Sequence, residues 1–138
     1  MRRIAFVCAV VAAAALPSAT AATRFTSSAV ESSLACSGAV SWQKAGSLVG
    51  HVATVQGRVA GTHYAAASNG SPTFLNVGVD YPNPGRFVVL IWIENRSAFG
   101  RPEVRYRGRT ICARGLISRY QGVPEIVARS PSQIKFIR

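Results

Sequence analysis

Ala53-Thr54-Val55-Gln56-Gly57-Arg58-Val59 is the stretch that decides the fold. Side chains alternate along an extended chain, so Ala53, Val55, Gly57 and Val59 fall on one face and Thr54, Gln56 and Arg58 on the other. That pattern belongs to a strand with one dry and one wet side. Gly57 in its middle marks a point where such a strand bends sharply. The run begins near His51 and extends to Tyr64, before the turn signal Asn69-Gly70. Four further runs follow. Pro72 to Gly78 sets Thr73, Leu75 and Val77 against Phe74 and Asn76. Arg86 to Ile93, after the turn cluster Tyr81-Pro82-Asn83-Pro84-Gly85, is apolar on both faces: one face belongs to the core and the other is covered or used for binding. Thr110 to Tyr120 sets Ile111, Ala113, Gly115 and Ile117 against Cys112, Arg114 and Ser118. Glu125 to Arg129 is the fifth, followed by a Gln133 to Arg138 tail.

Two helical signals punctuate these strands. Ser41 is placed to cap a short helix over Trp42 to Leu48, which Gly50 ends. Trp42 is expected to pack that helix on the sheet. A second helical turn, around Arg96 to Phe99, separates strands three and four. Pro102 to Gly108 reads as a polar, arginine-bearing approach to the fourth strand, and in strand parity Arg105, Arg107 and Arg109 would share one side. The expected fold class is therefore all-β: a five-stranded closed Greek-key barrel with a short N-terminal helix and a small helical turn between strands three and four. No internal repeat and no second domain are visible.

The N-terminus reads as an export signal. Arg2 and Arg3 precede the uncharged run Ile4 to Leu16, and Ala19-Thr20-Ala21 supplies small residues at a cleavage site. The apolar run is shorter than the roughly 20 residues that cross a bilayer core, so no stable membrane insertion is expected after cleavage. The organisation is then a signal peptide over residues 1–21, a Ser-, Ala- and Thr-rich leader over 22–40, and one domain over 41–138. The protein is placed in the periplasm or the medium. Cys8 leaves with the signal. In an oxidising compartment Cys36 and Cys112 are expected to bridge, the alternative being a buried free Cys112 beside an exposed Cys36.

The chain carries 16 Lys+Arg against 5 Asp+Glu, a formal charge of +11. Arg96, Arg101, Arg105, Arg107, Arg109, Arg114 and Arg119 crowd one segment in which Glu103 is the only acid and lysine is missing. A solubilising surface mixes signs, whereas guanidinium forks suit phosphate. A polyanionic partner is expected, set against the plainer reading of a generally basic exported protein. Aromatic residues interleave with the charges, and bases stack on such rings above cationic grooves. Phe74 and Trp92 are the candidate platforms on strands two and three, with Tyr64 and Tyr120 flanking them and Arg58, Asn76 and Arg114 nearby. The competing role for each ring is core or turn packing.

Catalysis is not indicated. The acids fall in separate turns or strand ends, with no carboxylate pair, no nucleophile elbow and no phosphate-cradling glycine loop. His51 and His63 stand apart, and two Cys with two His do not fall at metal-finger spacing. No cofactor and no metal are expected.

The order of elements is that of the OB-fold, a five-stranded Greek-key barrel. Several strings carry a closer resemblance: Ala53 to Val59, Pro72 to Gly78, Phe87 to Trp92, Tyr106-Arg107-Gly108-Arg109-Thr110-Ile111-Cys112 and Gly122-Val123-Pro124-Glu125-Ile126. Together they resemble small exported bacterial OB-fold domains, similar to OB modules attached to secreted nucleases. The likeness spans about Trp42 to Ile134. It implies a nucleic-acid-binding module without catalytic residues of its own. On that expectation Arg58, Arg105, Arg107, Arg109, Arg114 and Arg119 neutralise phosphates of single-stranded DNA or RNA with little sequence preference. Phe74, Trp92 and Tyr120 stack on its bases. The alternative is an envelope adaptor for an acidic protein or polysaccharide, and a third possibility is a plain structural domain. Oligomeric state is not readable.

Overall fold

The computed structural model describes residues 36–138. The expected signal, Cys8 and the leader up to Ala35 lie outside the described residues. The order of elements is β1 (Val40–Ser41), a 3-10 helix (Trp42–Leu48), β2 (Val52–Tyr64), β3 (Thr73–Val77), β4 (Phe87–Ile91), helices Ile93–Phe99 and Pro102–Arg105, β5 (Thr110–Tyr120), β6 (Val123–Val127), a 3-10 turn (Pro131–Gln133) and β7 (Ile134–Phe136).

The strands form one mixed, seven-stranded sheet in the order β1-β2-β3-β4-β6-β5-β7, and β2 also pairs with β5. The five longer strands are thus hydrogen-bonded in a ring, β2-β3-β4-β6-β5 and back to β2. Within that ring β4 and β6 run parallel and the other pairs antiparallel. The expected count of five strands is corrected to seven. β1 is two residues long and pairs parallel with Val55 and Gln56 of β2. β7 is three residues long and lies antiparallel to β5 through Ile111, Cys112 and Ala113. Neither is long enough for alternation to register in sequence. β7 forms because the turn before it, capped by Ser130 with Gln133 reaching back, aims the tail at the free edge of β5.

The interior is built from the dry faces read in the sequence. Val55 and Val59 of β2, Leu75 and Val77 of β3, and Phe87, Val89 and Ile91 of β4 meet Ile111, Ile117 and Ile126 in the core. The other face of β4 carries a second cluster, Val88 and Leu90 with Val123, against which Phe74, Trp92 and Val127 pack. One face of β4 is therefore core and the other is a partly covered outer wall.

Gly57 admits a close approach. A Cβ there would lie 2.6 Å from Val77 Cγ1 and 2.7 Å from Trp42 Cδ1. Gly78, at φ +88°, is pressed by the same indole ring. Trp42 thus packs the 3-10 helix against β2 and the end of β3, as expected of it.

The segment after β4 departs from expectation. Helix begins at Ile93, and a second helical turn, started by Pro102 at its first position, occupies the start of the stretch read as an approach to the fourth strand. Arg105 therefore ends a helix, and it does not share a strand face with Arg107 and Arg109. Cys36 and Cys112 are bridged, with Cα atoms 5.8 Å apart, which ties the start of the described chain to β5 close to its N-terminal end.

Candidate functional site

Outward-facing side chains of β3, β4 and β6 floor a groove of about 760 Å³. Its floor is apolar: Phe74 of β3, Val88 of β4 and Val123 of β6. Its walls come from loops and strand ends. Tyr81, Pro82, Pro84 and Arg86 stand on the β3–β4 connection, Tyr120 and Gln121 at the β5–β6 turn, and His63, Ala65 and Ser68 where β2 leaves the sheet. Tyr81 is 71 % exposed and Tyr120 63 %, so both rings are open to a ligand.

A bulge decides which side chains of β2 reach this groove. The β2–β3 register shifts between Val59 and Gly61, leaving Ala60 as an extra residue. Before it, odd-numbered residues such as Val55 and Val59 point inward. After it, His63 stands opposite Phe74 on the outer wall, while Thr62 and Tyr64 pair with the inward residues Leu75 and Thr73.

The groove is close to neutral although the protein is strongly basic. Asp80 lies over Gly61, where any side chain would collide with it. Its Oδ1 accepts from Asn76 Nδ2 at 2.8 Å and from the Tyr81 N–H at 2.8 Å. The carboxylate is occupied in shaping the loop that carries Tyr81. Glu125, half-buried on β6, has its carboxyl pushed above the ordinary carboxylate value by desolvation. Arg86 donates to the Asn83 carbonyl at 2.7 Å and lies 5.2 Å from the Tyr81 ring centre.

The residues singled out from sequence divide into three groups. Phe74 and Tyr120 line the groove. Asn76 lines it too but is only 4 % exposed, and its amide holds Asp80. Tyr64, Trp92 and Arg119 are taken up by packing. The Arg96 guanidinium lies 3.9 Å from the Tyr64 ring centre and pairs with both oxygens of Glu103 at 2.8 Å. Trp92 joins the outer cluster and packs on Gly70, where a Cβ would come within 2.9 Å of the indole. Arg119 clamps two carbonyls, Gly122 and Gly46, at 2.9 Å each.

Arg58, Arg105, Arg107, Arg109 and Arg114 form the third group, exposed and outside the groove lining. Arg107 donates to Thr62, from Nε to the hydroxyl at 3.0 Å and from Nη2 to the carbonyl at 3.1 Å. Arg109 and Arg105 lie 4.6 and 5.8 Å from the Phe136 ring centre. The expected single wall of rings and arginines is therefore split, with rings in the groove and most of the arginines beyond its rim. Tyr81, His63, Arg86 and Glu125 line the groove without having been singled out from sequence. Tyr81 sits in a Pro- and Gly-rich cluster whose signal is a turn, and His63 is turned outward only by the bulge.

Among the described residues no three His, Cys, Asp or Glu side chains are grouped to hold a metal ion. No described helix is long and apolar enough to cross a membrane.

No family model matches this chain, and no curated protein matches it. Among solved structures, a chain assigned as an aspartyl-tRNA synthetase of Leishmania major Friedlin is similar at 11% identity and TM-score 0.47, over 91% of this chain and 23% of its own. An OBody bound to hen egg-white lysozyme is similar at 20% identity and TM-score 0.45, over 65% of this chain and 82% of its own. The aspartyl-tRNA synthetase of Entamoeba histolytica is similar at 12% identity and TM-score 0.41, over 66% of this chain and 19% of its own. This chain thus spans less than a quarter of either synthetase, and likenesses this weak transfer no function to it.

Proposed function

We propose that this protein is an exported OB-type binding module that holds single-stranded nucleic acid with little sequence preference. The ring of five strands, with β4 parallel to β6, supports the OB-type reading, and β1 and β7 are additions at its edges. On such a barrel the outer wall of the second and third strands takes oligonucleotides. Here those strands are β3 and β4, and the groove lies on them. One observation carries the reading: an apolar floor under Phe74 is flanked by two open tyrosine rings, Tyr81 and Tyr120.

A near-neutral pocket walled by rings suits unstacked bases better than phosphates. Every base has a π-face, so stacking tolerates any sequence, and each stack contributes about 1–3 kcal/mol. Arg86 can add a cation beside Tyr81. Chemistry that would cut or join a strand has no residues assigned to it in this reading, and no cofactor enters it.

The test is fluorescence anisotropy of a labelled oligothymidylate at low salt, with the native chain and Tyr120→Ala. Loss of one stack weakens binding roughly 5- to 150-fold, the range that about 1–3 kcal/mol implies. The reading fails if the native chain does not bind, or if the variant binds equally well.

A further inference from the structure

Four of the exposed arginines outside the groove, Arg58, Arg107, Arg109 and Arg114, follow β2. Arg107 donates to Thr62, near the strand's end and next to His63, which faces the groove. The carbonyl of Arg109 accepts from the Val59 N–H at 2.8 Å, and the N–H of Gly108 donates to the Val59 carbonyl at 3.0 Å. The turn bearing Arg107 and Arg109 is thereby pinned to the strand. Arg58, exposed on β2 itself, comes close to the same turn, its Nη2 lying 3.7 Å from where a Cβ on Gly108 would sit. Further along, Lys135 of β7 stands opposite Cys112, which in turn stands opposite Gln56. Arg114 then donates to the Thr54 hydroxyl at 3.3 Å.

None of these five cations has an ion-pair partner among the described residues. Both ion pairs there converge on Glu103, from Arg96 and Arg101. From Thr62 to Thr54 the strand covers about 26 Å at roughly 3.3 Å per residue. Among the described residues this path has no open aromatic ring. Tyr106 is buried, and Phe136 is flanked by Arg105 and Arg109. The path therefore reads charge alone, whereas the groove reads rings and carries almost none.

We propose that Arg107, Arg109, Arg58, Lys135 and Arg114 form a phosphate track along β2, which carries the backbone of a single strand away from the groove that holds its bases. This rests on the groove binding nucleic acid, and it divides the labour: a few nucleotides stack in the groove, and those that follow are held by phosphate alone. The rim at Thr62 is where the two surfaces meet.

Ligand length tests the division. An oligothymidylate of about 4 nucleotides fills the groove, and one of about 16 also reaches the track, these being the limits of single-fold site sizes. Five cations on a single strand steepen the slope of log K against log salt by about 3 to 4 units, at about 0.7 per phosphate. The long oligonucleotide is expected to show that steeper slope. The triple variant Arg58→Ala, Arg109→Ala, Arg114→Ala is expected to lose about 2 units of it and at least tenfold in affinity at low salt, with the short oligonucleotide unaffected. The three positions are exposed, and an unchanged urea midpoint verifies that the variant is folded.

Equal slopes for both lengths, or a long-oligonucleotide slope unmoved in the triple variant, overturn the track while leaving the groove standing. Binding of neither length removes the groove and the track with it. If only heparin binds, and the triple variant loses it, these cations serve an acidic polysaccharide and the nucleic-acid path is overturned.

Discussion

Glu125 shows how one side chain separates this groove from the rest of a cationic surface. It projects from β6 beside the Val88 row of β4 and is half-buried, and desolvation holds its carboxyl above the ordinary value of 4.5. On unfolding that value is restored. Between the two, the native chain binds more protons than the unfolded chain, so stability falls as pH rises through the window. Glu125→Gln cannot ionise and is expected to be free of this loss. Urea midpoints of both proteins, measured from about pH 4 to 7, should diverge in the variant's favour as pH increases. A constant difference between them would contradict the account. Arg107 and Arg109 illustrate what residue types alone revealed. Their number and lack of acids raised the expectation of a polyanionic partner, but the helical turn over Pro102–Arg105 takes Arg105 out of the alternation it was expected to share with them.

At the scale of elements, strand periods were readable wherever a run was long enough to show one face. β2, β3, β4 and β5 stand within a residue or two of the expected positions, because each buries a run of β-branched or aromatic residues on a dry face. The start of β6 and the whole of β7 were displaced or missed, since short strands are made by the edges they join. The bounds of the 3-10 helix were legible, although Ser41 makes no side-chain capping bond and Val49 closes it, and its purpose was decided by contact. Trp42 closes onto Gly57 and Gly78, two glycines from different parts of the chain. Gly78→Ala would combine a strained positive φ with collision against the indole, and a loss of at least about 2 kcal/mol is expected. Urea unfolding of the variant checks this, and a loss within error of zero would show that the helix shifts freely.

For the whole molecule, the Cys36–Cys112 bridge is the longest-range covalent constraint, with a sequence separation of 76. Closing a loop of that size restricts the unfolded chain by about 4 kcal/mol on the loop-entropy model. Reduction is therefore expected to lower the unfolding free energy by about that amount, read from urea titrations with and without reductant. A far smaller change would mean that the unfolded chain is already compact around this pair. What sequence alone determined is the burial pattern: alternation names the dry face of each long strand, because burying apolar area drives the chain to one solution at that scale. It also determined the excess of arginine over acid. Tertiary structure decided where those cations lie relative to the rings. An extra residue at Ala60 turns His63 outward, and a turn pinned to Val59 carries Arg107 and Arg109 to β2. Both depend on hydrogen bonds between segments far apart in the chain, which no local period records.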